Sequence, residues 1–307
     1  MRRAANRLRT CSLPPVVQMT HMRQLSQRGR HAQRTAQTDK AGNAYLFYDS
    51  ALAGSKVRIE TADAEPVSVT VPSSADGQGG GSIPTLACEL DTGAETQKYD
   101  KTEVMFILDT TGSMGDEISY LQKDFASIAE DVAGENVTFS VNFYRDRGDD
   151  YITRCNPFTD DIADVRKKLN AEYASGGGDA PEAVAEILYE TMCSGDWHDG
   201  TNKIAFLIFD APPHGYPEDD AAAQPEISAA IAAAAERGVR LVPVVASNAD
   251  RGTELFGRAA AIMTNGNYVF LTDDSGVGGS HLEPIIGDYD VELLHDIIVR
   301  NIREIAG

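Results

Sequence analysis

The sequence predicts a doubly wound α/β domain, a mostly parallel sheet with helices on both faces, over residues 101–307. Three observations carry that prediction. Strand-like and helix-like segments alternate along this stretch. The strands read as unbroken apolar runs, and two of those runs end in aspartate. Unbroken apolar strands are the mark of a sheet buried on both faces, the arrangement that helical crossovers between parallel strands produce.

The elements follow in order. Val104–Leu108 is a buried strand ending at Asp109, and residues 116–133 place Ile118, Leu121, Phe125, Ile128 and Val132 on one helical stripe. Val137–Phe143 is a strand. Residues 160–170 and 181–193 read as helices, with Pro181 at a first helical position. Ile204–Phe209 is a second buried strand, ending at Asp210. The alanine-rich stretch 226–237 is a helix stopped by Gly238. Val239–Ala246 is a strand whose Pro243, unable to donate to a ladder, argues against a central place. A helix over 252–264 closed by Gly266, a strand over 268–272 and an amphipathic helix over 289–305 complete the domain.

Three regions precede it. Residues 1–37 hold eight arginines and no acid, and read as a basic, disordered tail, or as sequence upstream of the true domain start. Arg-rich, acid-poor starts occur in transit peptides, but Val16 and Val17 do not make the apolar core of a secretory signal. Residues 38–72 are β-rich: Ala44–Tyr48 is strand-like, and Val57/Ile59 and Val67/Val69/Val71 alternate with polar residues. They resemble part of a small immunoglobulin-like or carboxypeptidase-regulatory-like sandwich. Residues 73–100 are a linker that begins with a Ser/Gly-rich run.

Acidic residues outnumber basic ones 47 to 27, for a net charge of −20; residues 1–40 carry +8, which leaves −28 for the rest. Such a body excludes a nucleic-acid binder, whose phosphate contacts need a basic face, and favours cations or basic partners. No apolar run approaches the roughly 18 residues of a membrane helix, so no membrane insertion is expected. The default location is cytoplasmic, with an exported form if the N-terminus is misassigned. The four cysteines form no CxxC pair, which argues against a zinc knuckle or a thioredoxin-like redox site. Cys155 and Cys193 either pair or remain buried thiols.

In an open α/β sheet, ligands bind outside the carboxyl ends of the strands. There the first apolar strand leads into Asp109-Thr-Thr-Gly-Ser-Met114. Asp109, Thr111 and Ser113, at i, i+2 and i+4, offer hard oxygen ligands in one tight loop, suited to Mg²⁺ or Mn²⁺. Asp210, at the end of another strand, is placed to fix metal-bound water. A plainer structural reading also fits these residues: Asp109 and Ser113 capping the helix near 116, and Asp210 opening a turn.

Residues 102–307 resemble a von Willebrand factor type A domain, and Asp109-x-Thr111-x-Ser113 is similar to its metal-ion-dependent adhesion site. Further blocks agree with the resemblance: Tyr144-Arg-Asp-Arg-Gly-Asp149, Gly176-Gly-Gly-Asp-Ala-Pro-Glu182, Asp210-Ala-Pro-Pro-His214 and Leu271-Thr-Asp-Asp-Ser-Gly276. They resemble the branch of the family attached to alpha-kinases and found in bacterial proteins of unassigned role. The resemblance implies a Rossmann-like fold in which Thr111 and Ser113 coordinate the cation directly. Asp109 and Asp210 then act directly or through water. The family's third motif is a threonine in the loop before the third helix; here that loop reads Gly178-Asp179, so Asp179 is the expected substitute. A carboxylate there raises the negative charge of the site, holding the cation more tightly and leaving it less electrophilic toward an acidic partner. Arg147-Gly148-Asp149 lies inside a block expected of this branch and is not read as an integrin ligand. His214 and His281 fall in loops on the site side, and Asp273 and Asp274 form a turn at its rim.

The function expected is non-enzymatic: a divalent-cation-dependent protein–protein interaction module that binds an acidic side chain of its partner through Mg²⁺ (or Mn²⁺), with no catalytic residue. Two alternatives stand beside it. One is a structural scaffold with a degenerate metal site. The other is a Mg²⁺-dependent phospho-aspartate phosphatase or phosphotransferase, suggested by the likeness of Asp109-Thr-Thr-Gly-Ser113 to a DKTGT loop. Against the enzyme, Thr110 replaces the lysine, Thr111 stands where soluble relatives have a second carboxylate, and neither a GDxxxD block nor a phosphate-cradling GxxxxGK[ST] loop occurs.

Overall fold

The computed structural model describes residues 16–21, 33–37, 44, 46, 54–61, 64–71, 88, 99–178, 180–215, 224–246, 249–272, 276–277 and 292–307. The chain divides into two compact units between Lys98 and Tyr99, apart from the short stretch Ala235–Gly238.

The first unit is an antiparallel sheet of four strands, β1 (Val16–His21), β2 (Gln33–Gln37), β3 (Lys56–Thr61) and β4 (Ala64–Thr70), in the order β2-β1-β3-β4. Two of these strands correct the expectation of a disordered tail over residues 1–37. β1 sits between β2 and β3, with Val17 opposite Ala36 and Met19 opposite both Arg34 and Ile59. The arginine-rich composition concealed a β-branched run, Val16-Val17, and a partner strand about forty residues downstream. Backbone pairing to β3 satisfies ladder groups that a free tail leaves to water. Val57 and Val71 are buried, with Ile59, Val69 and Leu46 against them. Of the strand expected at Ala44–Tyr48, Ala44 and Leu46 carry no regular structure and the other positions lie outside the described residues, as does most of the 73–100 linker.

Among the described residues, the second unit is a six-stranded mixed sheet covered by six helices: β5 (Thr102–Asp109), α1 (Gly115–Asp131), β6 (Val137–Tyr144), β7 (Thr153–Arg154), α2 (Ile162–Asn170), α3 (Val184–Cys193), β8 (Asn202–Phe209), α4 (Gln224–Arg237), β9 (Val239–Val245), α5 (Arg251–Met263), β10 (Val269–Phe270) and α6 (Leu294–Ala306). The strand order is β10-β9-β8-β5-β6-β7, parallel throughout except for β7, which runs antiparallel on the edge. This is the doubly wound, mostly parallel sheet that the apolar runs predict, and β5 is wholly buried along its length.

Alternate residues of β5 feed two cores. Val104, Phe106 and Leu108 pack under α1, α2 and α6, and Met105 and Ile107 under α3, α4 and α5. Phe106 lies at the centre of the first, stacked on Phe206 and edge-on to Phe125. The α1 stripe is buried as its 3.6-residue spacing requires, from Ile118 to Val132. Asp161 and Asp250 cap α2 and α5 by accepting from backbone N–H groups of the first turn. His295 of α6 lies between Asp124 and Asp131 of α1, 2.7 Å from each.

Three local expectations change. Pro243 sits in an interior strand after all; β10 pairs only with Val244 and Val245, so beside Pro243 the β10 side of the strand is open where a proline N needs no partner. Pro181 is not the first residue of a helix, since α3 begins at Val184. Cys155 and Cys193 are not joined by a disulfide, and exposed Cys155 donates to Glu190 at 3.4 Å. No helix among the described residues is long and apolar enough to cross a membrane.

Candidate metal centre

The strand order reverses about β5: β6 follows on one side and β8 lies on the other. Parallel neighbours whose connections diverge in this way leave a crevice at their carboxyl ends, and that is where such sheets bind ligands. Asp109 ends β5 and Asp210 follows β8, so both carboxylates flank this crevice.

Asp109 is fully buried. Its Oδ1 accepts from the backbone N–H of Thr111 at 2.8 Å and from the Thr111 hydroxyl at 2.7 Å. Its Oδ2 is buried with no hydrogen-bond partner among the described residues. The Tyr144 phenol approaches this carboxylate without forming a regular hydrogen bond. Gly112–Met114 forms a single 3-10 turn leading into α1. Neither that turn nor α1 has a side-chain cap, so Asp109 and Ser113 are not serving as helix caps. Ser113 is exposed, and its hydroxyl hydrogen-bonds to the Asp210 carboxylate.

A second loop closes over the first. Ser175 N donates to Thr110 O at 3.0 Å and Gly112 N to Gly176 O at 3.2 Å. The Thr110 hydroxyl donates to Tyr144 O at 2.8 Å and lies 2.6 Å from the Tyr151 hydroxyl, which fixes the strand end below. Asp149 anchors the loop from the other side, accepting from Gly177 N at 2.8 Å and from Asp146 N at 3.0 Å. Arg147 pairs with Glu186. The Arg-Gly-Asp tripeptide therefore has both its charged side chains engaged within the domain.

Glu182 ends this loop and carries no signal in the sequence that marks it as a site residue. Its backbone is fixed to the segment after Asp210: Glu182 N donates to Pro212 O at 3.0 Å, and His214 N to Glu182 O at 3.3 Å. Its side chain is 4 % exposed, and Oε2 has no partner among the described residues. His214 lies 2.6 Å from Asp146, bracing the loop that carries Asp149.

The electrostatics follow from this placement. Burial, reinforced by the charge of Asp210, raises Asp109 to about 7 against the pull of its Thr111 hydrogen bonds. Burial, together with the charges of Asp109, Asp146, Asp210 and Asp149, raises Glu182 to about 9. Asp210 is raised by burial, opposed by the Ser113 hydrogen bond. The basic side chains around the site are committed elsewhere, Arg145 to Asp150 and the faces of Tyr151 and Tyr173, Arg147 to Glu186. The centre thus holds a surplus of negative charge and two orphaned buried carboxylate oxygens. Such groups are costly unless something supplies positive charge and donors. Among the described residues no three acidic, histidine or cysteine side chains form a ready metal cage by themselves. The donor set is mixed instead, carboxylate with hydroxyl, which fits a hard, hydrated cation such as Mg²⁺ or Mn²⁺.

Residues 103–253 match the family model of the von Willebrand factor A domain. This part of the chain is a von Willebrand factor A domain. Such a domain supports a protein-interaction or scaffold role. Of the residues predicted for its site, Asp109, Thr111, Ser113 and Asp210 come together, whereas Asp179 lies outside the described residues, as do Asp273, Asp274 and His281. A curated relative, the putative ariadne-like RING finger protein R811 of Acanthamoeba polyphaga mimivirus, is 32% identical over 117 residues, which is 36% of this chain and 11% of that protein. The chain therefore spans about a tenth of that relative's length. Among solved structures, the domain is similar to the conserved hypothetical protein BatB of Bacteroides thetaiotaomicron, with 16% identity, a TM-score of 0.46, and 67% of this chain and 98% of that one covered. It is also similar to the pilus adhesin SpaC of Lactobacillus rhamnosus GG, with 12% identity, a TM-score of 0.45, and 68% and 30% covered.

Proposed function

We propose that the von Willebrand factor A domain is a non-enzymatic, divalent-cation-dependent protein-interaction module. Asp109, Thr111, Ser113 and Asp210 would hold Mg²⁺ or Mn²⁺ at the crevice, with Asp179 as a further oxygen donor, and an acidic side chain of the partner would complete the shell. The observation that supports this reading best is the orphaned Oδ2 of a fully buried Asp109, with its other oxygen occupied by Thr111. When bound, the cation supplies the positive charge that the site lacks and an open position for a ligand oxygen. The chain's own residues do the rest. Asp109 holds Thr111 in place, Ser113 ties the turn to Asp210, and Asp149 keeps the covering loop shut. The site's mouth is at the exposed Ser113, where a partner has access.

The unfolding midpoint tests this reading. A ligand that binds only the folded state stabilises by about 2.7 kcal/mol at a hundredfold excess over Kd. The midpoint of the full chain is expected to rise between EDTA and several millimolar Mg²⁺ or Mn²⁺, and the rise is expected to vanish in an Asp109→Ala, Ser113→Ala variant. Equal midpoints for wild type in both buffers would favour the scaffold with a degenerate site.

A further inference from the structure

We infer that Glu182 belongs to the cation centre as a further carboxylate beside Asp109, Asp210 and Asp179, engaging the bound ion through one of the ion's waters. The inference rests on the reading of the crevice as a cation site and extends it to a residue outside the DxTxS loop.

Glu182 is bound by its backbone to Pro212 and His214, the segment that leaves Asp210, and it forms a parallel bridge with Pro213. Its side chain turns back toward the Asp109 loop: a Cβ built on Gly177 would lie 2.8 Å from Glu182 Oε1 and 3.1 Å from Thr111 Cβ. The carboxylate and the Thr111 side chain thus flank a single point, which only glycine leaves open. The second observation is independent of the cluster's charge. At 4 % exposure, Glu182 Oε2 meets no donor among the described residues, and Asp109 Oδ2 at the same crevice meets none either. A glutamate that served only to brace the loop would have its carboxylate on a backbone N–H or a basic side chain, as Asp149 has. Glu182 does its bracing through the backbone and leaves Oε2 uncommitted among the described residues. The described carboxylates form no three-ligand cage by themselves, so Glu182 is assigned to the ion's waters rather than to the ion. Mg²⁺ retains several waters when bound by few protein ligands, and those waters are the donors that a buried carboxylate lacks here. One consequence concerns the partner. An additional carboxylate leaves the cation less charge to offer, so an acidic ligand is held weakly and exchanges readily.

The test uses the full chain, with Mn²⁺ titrated calorimetrically into wild type, Glu182→Gln and Asp109→Ala, and with unfolding midpoints measured in EDTA. Removing an outer-shell partner of a metal typically costs 10–100-fold in affinity. Glu182→Gln is expected to weaken Mn²⁺ binding at least tenfold while its midpoint in EDTA equals or exceeds that of wild type, because the amide removes the cost of burying an acid that must take up a proton on folding. An unchanged Kd in Glu182→Gln, with binding lost in Asp109→Ala, would overturn the role of Glu182 and leave the cation site standing. A lower midpoint in EDTA would mark Glu182 as a structural brace and overturn the inference as well. No Mn²⁺ binding by wild type would overturn both.

Discussion

In EDTA the protein is expected to lose stability as pH rises from about 4 to about 9, and millimolar Mg²⁺ is expected to flatten that fall. Asp109 titrates near 3.8 when unfolded but at about 7 in the fold, and Glu182 moves from about 4.5 to about 9. Burial is the larger cause for both, and neighbouring carboxylates add to it. Between these limits the folded protein binds more protons than the unfolded chain, so the slope of unfolding free energy with pH is negative. The contribution is fully present below pH 4 and lost as pH passes through the two folded values. Each tenfold change in proton affinity between the folded and unfolded chain corresponds to about 1.4 kcal/mol, so the loss is expected to be large enough to read directly from denaturant midpoints. A bound cation removes the reason for the raised proton affinity, because it favours the charged carboxylates. Denaturant midpoints measured from pH 4 to 9 in EDTA and in Mg²⁺ provide the check. Parallel curves in the two buffers would contradict the account of why these acids are perturbed.

A second large effect is expected at the loop that closes the crevice. Gly177 has φ +68, a conformation that costs other residues roughly 1–2 kcal/mol. A methyl group there would also press on Glu182 Oε1 and Thr111 Cβ. Gly177→Ala is therefore expected to lower the unfolding midpoint and to abolish Mn²⁺ binding, since either the loop lifts or Thr111 is displaced from Asp109. Substituting Gly134, whose Cβ would meet nothing within 4 Å and whose φ is ordinary, serves as the control and is expected to leave cation binding unchanged. Retention of full Mn²⁺ affinity in Gly177→Ala would show that the covering loop takes no part in the site.

Much of this was legible in the sequence for definite reasons. A parallel sheet buried on both faces has to be written in continuous apolar runs, so Val104–Leu108 and Ile204–Phe209 declared both the strands and, through Asp109 and Asp210, the crevice between them. The three candidate oxygen donors Asp109, Thr111 and Ser113 lie within one turn, and local spacing is what a sequence displays best. Glu182 was not legible in the same way. With Pro181 read as the start of a helix, Glu182 fell inside that helix rather than at the end of a loop. Its place was set by non-local backbone bonds to Pro212 and His214, which leave no periodic trace. β1 and β2 were missed because a short strand is stabilised by its neighbours in the sheet, while composition registers only the arginines around it. β7, two residues long and paired at the sheet edge, is below the length at which alternation is visible.

The most direct test of the central claim is the binding of Mn²⁺ to the full chain, followed by electron paramagnetic resonance, with Asp109→Asn beside wild type. Bound Mn²⁺ loses the sharp signal of the free ion, so saturable loss of that signal reports occupancy without any partner being known. The account predicts a single class of site in wild type, displaced by excess Mg²⁺ and absent in Asp109→Asn. Identical free-ion signals in the two proteins across the titration would contradict it, and the crevice between β5 and β8 would then not be a cation site.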